Sequence, residues 1–188
     1  MTTLLTKPDS IHRNAINSDY SVFIECLASR NNGDMHGFWV DLEFIETSDD
    51  WDAVTKFLFA TSDQPNAEEY EITDYQIPQL VATGSVCDMI AFTQIGSSFN
   101  GSTEEAYWAY CNHVCRVSGE QEFEDAFLGI FKSETDFCYE TAEEQGLISD
   151  HYSQYIDWEM VWEGEYNCNG HWSESVHGGV AIFQGVGS

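Results

Sequence analysis

Two apolar runs flank a turn-rich loop in the stretch VFIECLASRNNGDMHGFWVD, residues 22–41. The runs at 22–27 and 38–40 contain Val, Phe, Ile and Trp, which are typical of β-strands. The loop between them holds NNG at 31–33 and HG at 36–37, residues that favour turns and positive φ angles. The stretch therefore predicts a strand, a long loop and a second strand.

The charge of the chain is strongly unbalanced. Its 188 residues include 33 Asp and Glu against 6 Lys and Arg, which gives a formal net charge of −27. Disordered acidic chains are poor in aromatic residues, whereas 14% of this chain is aromatic and 43% is hydrophobic. The composition therefore indicates a folded protein with an acidic surface. Such a surface repels nucleic acid and anionic membranes, so a basic protein groove is the expected partner.

The sequence gives no sign of export or membrane insertion. The N-terminus lacks the apolar segment of a signal peptide, and no run of 18 apolar residues occurs. We therefore expect a cytoplasmic protein. Its six cysteines are then expected to be reduced and mostly buried as small apolar residues: Cys26, Cys87, Cys111, Cys115, Cys138 and Cys168.

The first half of the chain predicts an extension followed by a small domain. Residues 1–20 are polar and show neither helical nor strand periodicity, so we expect an N-terminal extension there. A domain at 21–80 would combine the two strands above with a helix and a third strand. Thr47-Ser48 suits the N-cap of that helix, which runs to about Ala60, and acids alternate with bulky residues at 69–75 in the third strand.

The second half predicts a central helical domain at 81–118 and an acidic α+β domain at 119–188. Ser102 to Glu105 resembles a capping box, the motif that opens a helix. Phe123, Phe127 and Phe131 recur every four residues, which predicts one helix face, and a second capping box at 133–136 opens the next acidic helix.

The end of the chain predicts short helices and a hairpin. One or two helices are expected at 151–162, with Tyr155, Trp158 and Trp162 as packing residues. Strands at 172–176 and 180–183 are joined by His177-Gly178-Gly179, which supplies the positive φ angles of a tight turn. The predicted fold class is α+β.

Metal and catalytic motifs are weak. Cys111 and Cys115 share a helix face, but His113 projects roughly 200° away, so the three favour core packing over a metal site. The six histidines lie apart, and His36 is expected to organise its loop by hydrogen bonding. No G-x-S-x-G motif, P-loop or EF-hand spacing occurs, so we expect no enzyme and no cofactor. A carboxylate pair for glycoside hydrolysis and weak calcium binding stay open as alternatives.

The scarcity of lysine and arginine needs an explanation other than folding. Without these residues, like charges meet at neighbouring helix positions, and their repulsion lowers stability. Two explanations fit the composition. Either the whole organism is adapted to high salt, or the surface imitates the phosphates of DNA. An acidic chaperone for basic proteins is a further alternative to the imitation of DNA.

Three blocks of residues resemble a known family. The first comprises Phe23-Ile24, Cys26-Leu27-Ala28, Asn31-Asn32-Gly33, His36-Gly37 and Trp39-Val40-Asp41. The second comprises Glu68-Glu69-Tyr70, Ile72 and Asp74-Tyr75. The third comprises Phe123, Phe127, Gly129, Ser133, Asp136-Phe137, Tyr155-Ile156-Asp157-Trp158-Glu159, Gly179-Val180 and Phe183. In these blocks the chain resembles the ArdA antirestriction proteins of phages, plasmids and conjugative elements.

The resemblance implies an elongated, modular homodimer that mimics bent B-form DNA and catalyses no reaction. It would occupy the DNA-binding groove in the methyltransferase core of type I restriction-modification enzymes, in the cytoplasm of a bacterial host. We expect sixteen carboxylates to stand in for phosphates: Asp49, Asp50, Asp52, Glu69, Glu71, Glu104, Glu105, Glu120, Glu122, Glu124, Asp125, Glu134, Asp136, Glu140, Glu143 and Glu144.

Overall fold

The computed structural model describes residues 6–14, 18–148 and 150–185. The chain is 47% helical and 21% strand, which confirms the predicted α+β class. Its described residues form two compact units. One comprises the chain up to Ser97 together with Cys115–Val117, and the other comprises Ser98–Val114 and the chain from Ser118 onward.

The first unit is built on an antiparallel sheet. Its strands are β1 (Ile11–His12), β2 (Ser21–Cys26), β3 (Gly37–Asp41) and β4 (Tyr70–Tyr75), in the order β1-β3-β2-β4. Val22 lies opposite Val40 on one side and Tyr75 on the other, so the stretch 22–41 supplies the two central strands. The predicted three strands are confirmed, and each ends within one residue of its expected position.

A fourth strand, β1, was not expected. Ile11 pairs with Val40 and is 1% exposed, so the expectation of no strand before residue 21 is wrong at this point. Two residues are too few to show a period of two, and the apolar side chain at the sheet edge decides the pairing. Residues 1–5 and 15–17 of the predicted extension lie outside the described part of the chain.

The predicted long loop contains a short helix, α1 (Leu27–Asn31), so the placement of Leu27 in a strand is wrong. The Leu27 amide donates instead to the Glu69 carbonyl oxygen. After α1, His36 closes the loop as expected. Its Nε2 forms hydrogen bonds with the Leu58 carbonyl oxygen at 2.9 Å and with the Thr61 hydroxyl at 3.3 Å.

Three more helices cover the sheet region of this unit: α2 (Ser48–Thr61), α3 (Gln79–Ala82) and α4 (Val86–Gly96). Thr47 caps α2 as predicted. Val54 and Leu58 of α2 and Phe92 of α4 are fully buried, together with Ile24 of β2. Burying each such side chain contributes about 1.5–3 kcal/mol before the loss of chain entropy.

The described residues of the second unit form five α-helices and a three-stranded sheet. In chain order the elements are α5 (Ser102–Val114), α6 (Glu120–Ala126), strand β5 (Phe127–Phe131), α7 (Glu134–Glu144), α8 (Asp150–Ser153), α9 (Trp158–Val161), a π-helical turn (Trp162–Tyr166), a 3₁₀ turn (Asn167–Asn169), β6 (His171–Val176) and β7 (Gly179–Gln184). The strands form an antiparallel sheet in the order β5-β7-β6. The predicted hairpin is therefore confirmed, with Gly178 at a φ of 90° in its turn.

The expected helix face at Phe123, Phe127 and Phe131 is wrong, because α6 ends at Ala126 and the next five residues form β5. A spacing of four also fits a strand, since it is a multiple of two. Gly129 disfavours a helix interior, and pairing of Phe127 with Phe183 stabilises the strand.

Two smaller expectations about this unit are wrong, and one about the cysteines of the whole chain is confirmed for their reduced state but wrong for their burial. Ser102 is the first residue of α5, and its hydroxyl donates to the His177 carbonyl oxygen of the hairpin turn instead of capping the helix. Tyr155 is 75% exposed and does not pack in the core, whereas Trp162 is buried as expected. Among the six cysteines, three are buried and three are exposed, and none forms a disulfide.

Both units draw on the predicted central domain at 81–118. Helices α3 and α4 belong to the first unit, and α5 belongs to the second. The division at residues 20, 80 and 118 stays a prediction about independent folding segments. None of the helices in the described ranges is both long enough and apolar enough to cross a membrane.

Candidate partner-binding surface

The sixteen predicted carboxylates all lie at accessible positions. Eleven are exposed: Asp49, Asp52, Glu69, Glu71, Glu105, Glu120, Glu124, Asp125, Glu140, Glu143 and Glu144. Five are half-buried: Asp50, Glu104, Glu122, Glu134 and Asp136. Helices α2, α5, α6 and α7 and strand β4 position most of them, because the apolar faces of these elements are committed to the two cores.

Seven of these carboxylates also hold the fold together, since each accepts a hydrogen bond or forms an ion pair: Asp50, Glu71, Glu105, Glu122, Asp125, Glu134 and Asp136. Glu134 makes a contact between residues that are distant in the sequence, because it accepts a 2.7 Å hydrogen bond from the Ser173 hydroxyl. The other nine carboxylates have no partner within the described ranges: Asp49, Asp52, Glu69, Glu104, Glu120, Glu124, Glu140, Glu143 and Glu144.

Neutralisation of this charge inside the protein is slight. Arg30, for example, forms ion pairs with Glu71 and, at 3.8 Å, with Glu25. The chain has 33 acids and only 6 Lys and Arg in all. Most surface carboxylates are therefore available to cations from outside.

The residues weighed as a metal site are placed apart. Cys111 is buried in α5, and the His113 ring stacks on Trp172 with 3.7 Å between ring centroids. Cys115 follows the end of α5 at a φ of 55°. In the parts of the chain that the structure covers, no three His, Cys, Asp or Glu side chains are grouped closely enough to hold a metal ion.

A comparison with protein families identifies the chain. The family model described as Antirestriction protein (ArdA) matches residues 22–178, which is most of the chain and includes the acidic elements of both units. The chain belongs to the ArdA family. This confirms the resemblance seen in the sequence, and membership implies an antirestriction function exerted through restriction enzymes. A search of curated proteins found no match.

Further acids of this ArdA family member were missed by sequence reasoning. Asp157, Glu159, Glu163 and Glu165 are exposed around α9 and the π-helical turn. Asp157 caps α9 by accepting a 3.0 Å hydrogen bond from the Met160 amide. The sequence does contain a signal that could have identified them. The four acids fall within nine residues that contain no lysine or arginine.

Asp50 shows how one acid serves the fold of this ArdA protein. Its carboxylate accepts hydrogen bonds from the Thr47 hydroxyl at 2.7 Å and the Thr47 amide at 2.8 Å, while its own amide donates to the Thr47 hydroxyl. These bonds, the Thr47 side chain first, lower the pKa of Asp50 below its usual value. The carboxylate form is therefore the one that stabilises α2.

Replacing Asp50 with Asn is expected to lower the unfolding temperature at pH 7, because the charged acceptor of the capping box is lost. A lowered folded-state pKa stabilises above the unfolded pKa of about 4, and this contribution disappears as pH falls through the folded value. The difference between the two proteins should therefore vanish in acid when thermal unfolding is followed by circular dichroism. Asp52→Asn on the same helix is the control, and an Asp50→Asn effect that is unchanged by pH would contradict the assignment.

Proposed function

We propose that the chain blocks type I restriction-modification enzymes by mimicking B-form DNA in the DNA-binding groove of their methyltransferase core. Incoming phage or mobile DNA is thereby protected inside the bacterial host cell. The ArdA family supplies the antirestriction function. The mimicry is supported by one observation above all: both units expose carboxylates, and the 33 acids of the chain far outnumber its 6 Lys and Arg.

The amount of charge suits a long groove. Duplex DNA carries one negative charge per about 1.7 Å of its axis. Two copies of a chain with a net charge of −27 therefore carry the charge of roughly 90 Å of duplex. A small-ligand site needs far less, so the charge suits an extended basic surface, here taken to face a homodimer.

The mechanism is binding without a reaction or a cofactor. Lysine and arginine side chains of the enzyme groove pair with the carboxylates, and condensed counterions leave both partners. Association is rapid and weakens as salt is added. The affinity is distributed over many contacts of about 0.2–1 kcal/mol each, because exposed ion pairs are individually weak.

Cleavage of unmodified DNA by a purified type I enzyme tests the proposal. We expect inhibition at protein concentrations comparable to that of the enzyme, with a midpoint that rises with salt. Poly-glutamate with the same total charge is the matched control and should inhibit far less, because its charges are not held in a fixed pattern. Equal inhibition by poly-glutamate, or none by the protein, would leave the acidic chaperone or a salt-adapted surface as the better account.

Added salt is expected to raise the unfolding temperature by several degrees between low and about 0.5 M ionic strength. The reason is self-repulsion, which salt screens once the Debye length falls well below about 10 Å. Differential scanning calorimetry in NaCl and in KCl measures the effect, and both salts should act alike. A melting temperature that does not respond to salt would contradict a dense array of like charges.

A further inference from the structure

A cavity of about 420 Å³ opens beside α7 in the second unit. Aromatic rings and two carboxylates line it together. The rings are those of Phe131, Phe137, Tyr166 and His171, and the carboxylates are those of Glu140 and Glu144. They come from β5, α7, the π-helical turn and β6, so the cavity forms only when these four elements are packed together.

The rings form a continuous aromatic wall. Centroid distances are 5.0 Å from Phe131 to Phe137, 4.9 Å from Phe137 to Tyr166 and 5.2 Å from Tyr166 to His171, with interplanar angles of 69°, 68° and 86°. Faces of aromatic rings carry partial negative charge and attract cations.

The two carboxylates line the same cavity as the rings. Glu140 and Glu144 are four residues apart on α7, so they are neighbours on one helix face. Both are exposed, and neither has a partner within the described ranges. Among the described residues, no lysine or arginine lines the cavity beside these two carboxylates.

His171 supplies an independent sign of an unused hydrogen-bonding position. Its Nδ1 is shielded from solvent and has no hydrogen-bond partner. Buried polar atoms without a partner are uncommon in folded proteins. One residue of the cavity lining therefore carries a polar atom that the described chain leaves unsatisfied, and that atom lies beneath the solvent-accessible surface.

We infer that this cavity receives an arginine side chain of the partner. The guanidinium would lie between Glu140 and Glu144 with its plane against the aromatic wall. Arginine suits the site better than lysine, because its planar fork matches carboxylates, stacks on rings and is weakly hydrated. The inference rests on the proposed function for the origin of the arginine, since a groove that holds DNA presents such side chains.

An arginine held in this way differs from the surrounding ion pairs. Its contact with the rings is short-ranged and partly buried, so salt screens it less than it screens an exposed ion pair. The site therefore gives the complex a fixed anchor within a distributed array of weaker contacts.

Capped tripeptides with a central arginine, lysine or citrulline test the site by NMR titration of the full chain. The arginine peptide is expected to shift resonances of the cavity residues, and ring currents should move its own side-chain Cδ protons upfield. Citrulline has the same shape without the charge, so it should bind at least about 10-fold more weakly, and lysine at least about 5-fold more weakly.

Two variants of equal charge locate the effect. Glu140→Gln/Glu144→Gln is expected to weaken arginine binding about 10-fold, whereas Glu120→Gln/Glu124→Gln on α6 should change it less than about 2-fold. Equal losses in the two variants, or equal binding of citrulline or lysine, would overturn the assignment. Thermal unfolding of both variants checks that the fold is intact.

The peptide assay and the cleavage assay test the two proposals separately. Specific arginine binding without inhibition of any type I enzyme would refute the proposed function and leave the cavity as a guanidinium site. Inhibition by a protein that does not bind the peptide would refute the cavity alone.

Discussion

Replacing Glu120, Glu124 and Asp125 on α6 with lysine is expected to weaken inhibition of a type I enzyme about 100-fold. The substitutions remove three attractive charges and add three repulsive ones, and six changes of about 0.5 kcal/mol each amount to roughly 3 kcal/mol. All three side chains are exposed, and none lines the cavity beside α7. The midpoint of inhibition in the cleavage assay measures the change.

Graded controls separate charge from damage to the fold. Neutralising the same three positions with Gln, Gln and Asn should cost about 10-fold, and Glu124→Gln alone about 2-fold. Unfolding temperatures show whether α6 survives each change. A single neutral substitution that abolishes inhibition would instead indicate a localised hot spot or a catalytic group.

Replacing Gly179 with Ala is expected to destabilise the second unit by about 3 kcal/mol or more, which corresponds to roughly 10 °C in unfolding temperature. A Cβ atom at this position would lie 1.9 Å from the Phe131 carbonyl oxygen. That oxygen belongs to β5, which pairs with β7 next to Gly179, so the clash can be relieved only by separating the strands. Thermal or urea unfolding measures the loss.

Gly146→Ala is the matched control for this prediction. Gly146 has a positive φ of 67°, but nothing lies within 4 Å of a Cβ built there. Only backbone strain of about 1 kcal/mol is expected. If both glycine variants were equally mild, the close approach of β5 and β7 at Gly179 would be refuted.

The elements that the sequence predicts well are those specified by neighbouring residues. Thr47 and Asp50 cap α2 through contacts three residues apart, and Gly178 and Gly179 define the hairpin turn by their own conformations. Elements decided by distant partners were missed. β1 exists because Ile11 pairs with Val40, and β5 exists because Phe127 pairs with Phe183.

The candidate surface follows the same division. Exposure of the acids was predictable, because charged side chains are rarely buried without a partner. The structural role of Glu134 was not predictable, because the Ser173 hydroxyl that donates to it is 39 residues away in the sequence. The cavity beside α7 was beyond sequence reasoning as well, because its wall brings together residues from Phe131 to His171.

The stretch 22–41 is scaffold in this account. Val22, Ile24, Cys26 and Val40 are fully buried in the two central strands of the first sheet. Substitutions there act through folding, so tests of inhibition belong on the exposed acids.

Competition between the protein and duplex DNA for a purified type I methyltransferase tests the central claim most directly. Fluorescence anisotropy of a labelled duplex follows its displacement as the protein is added. A DNA mimic should displace the duplex completely, and excess duplex should displace the protein, with both affinities falling as salt rises. A ternary complex that holds the protein and the duplex together would contradict the account.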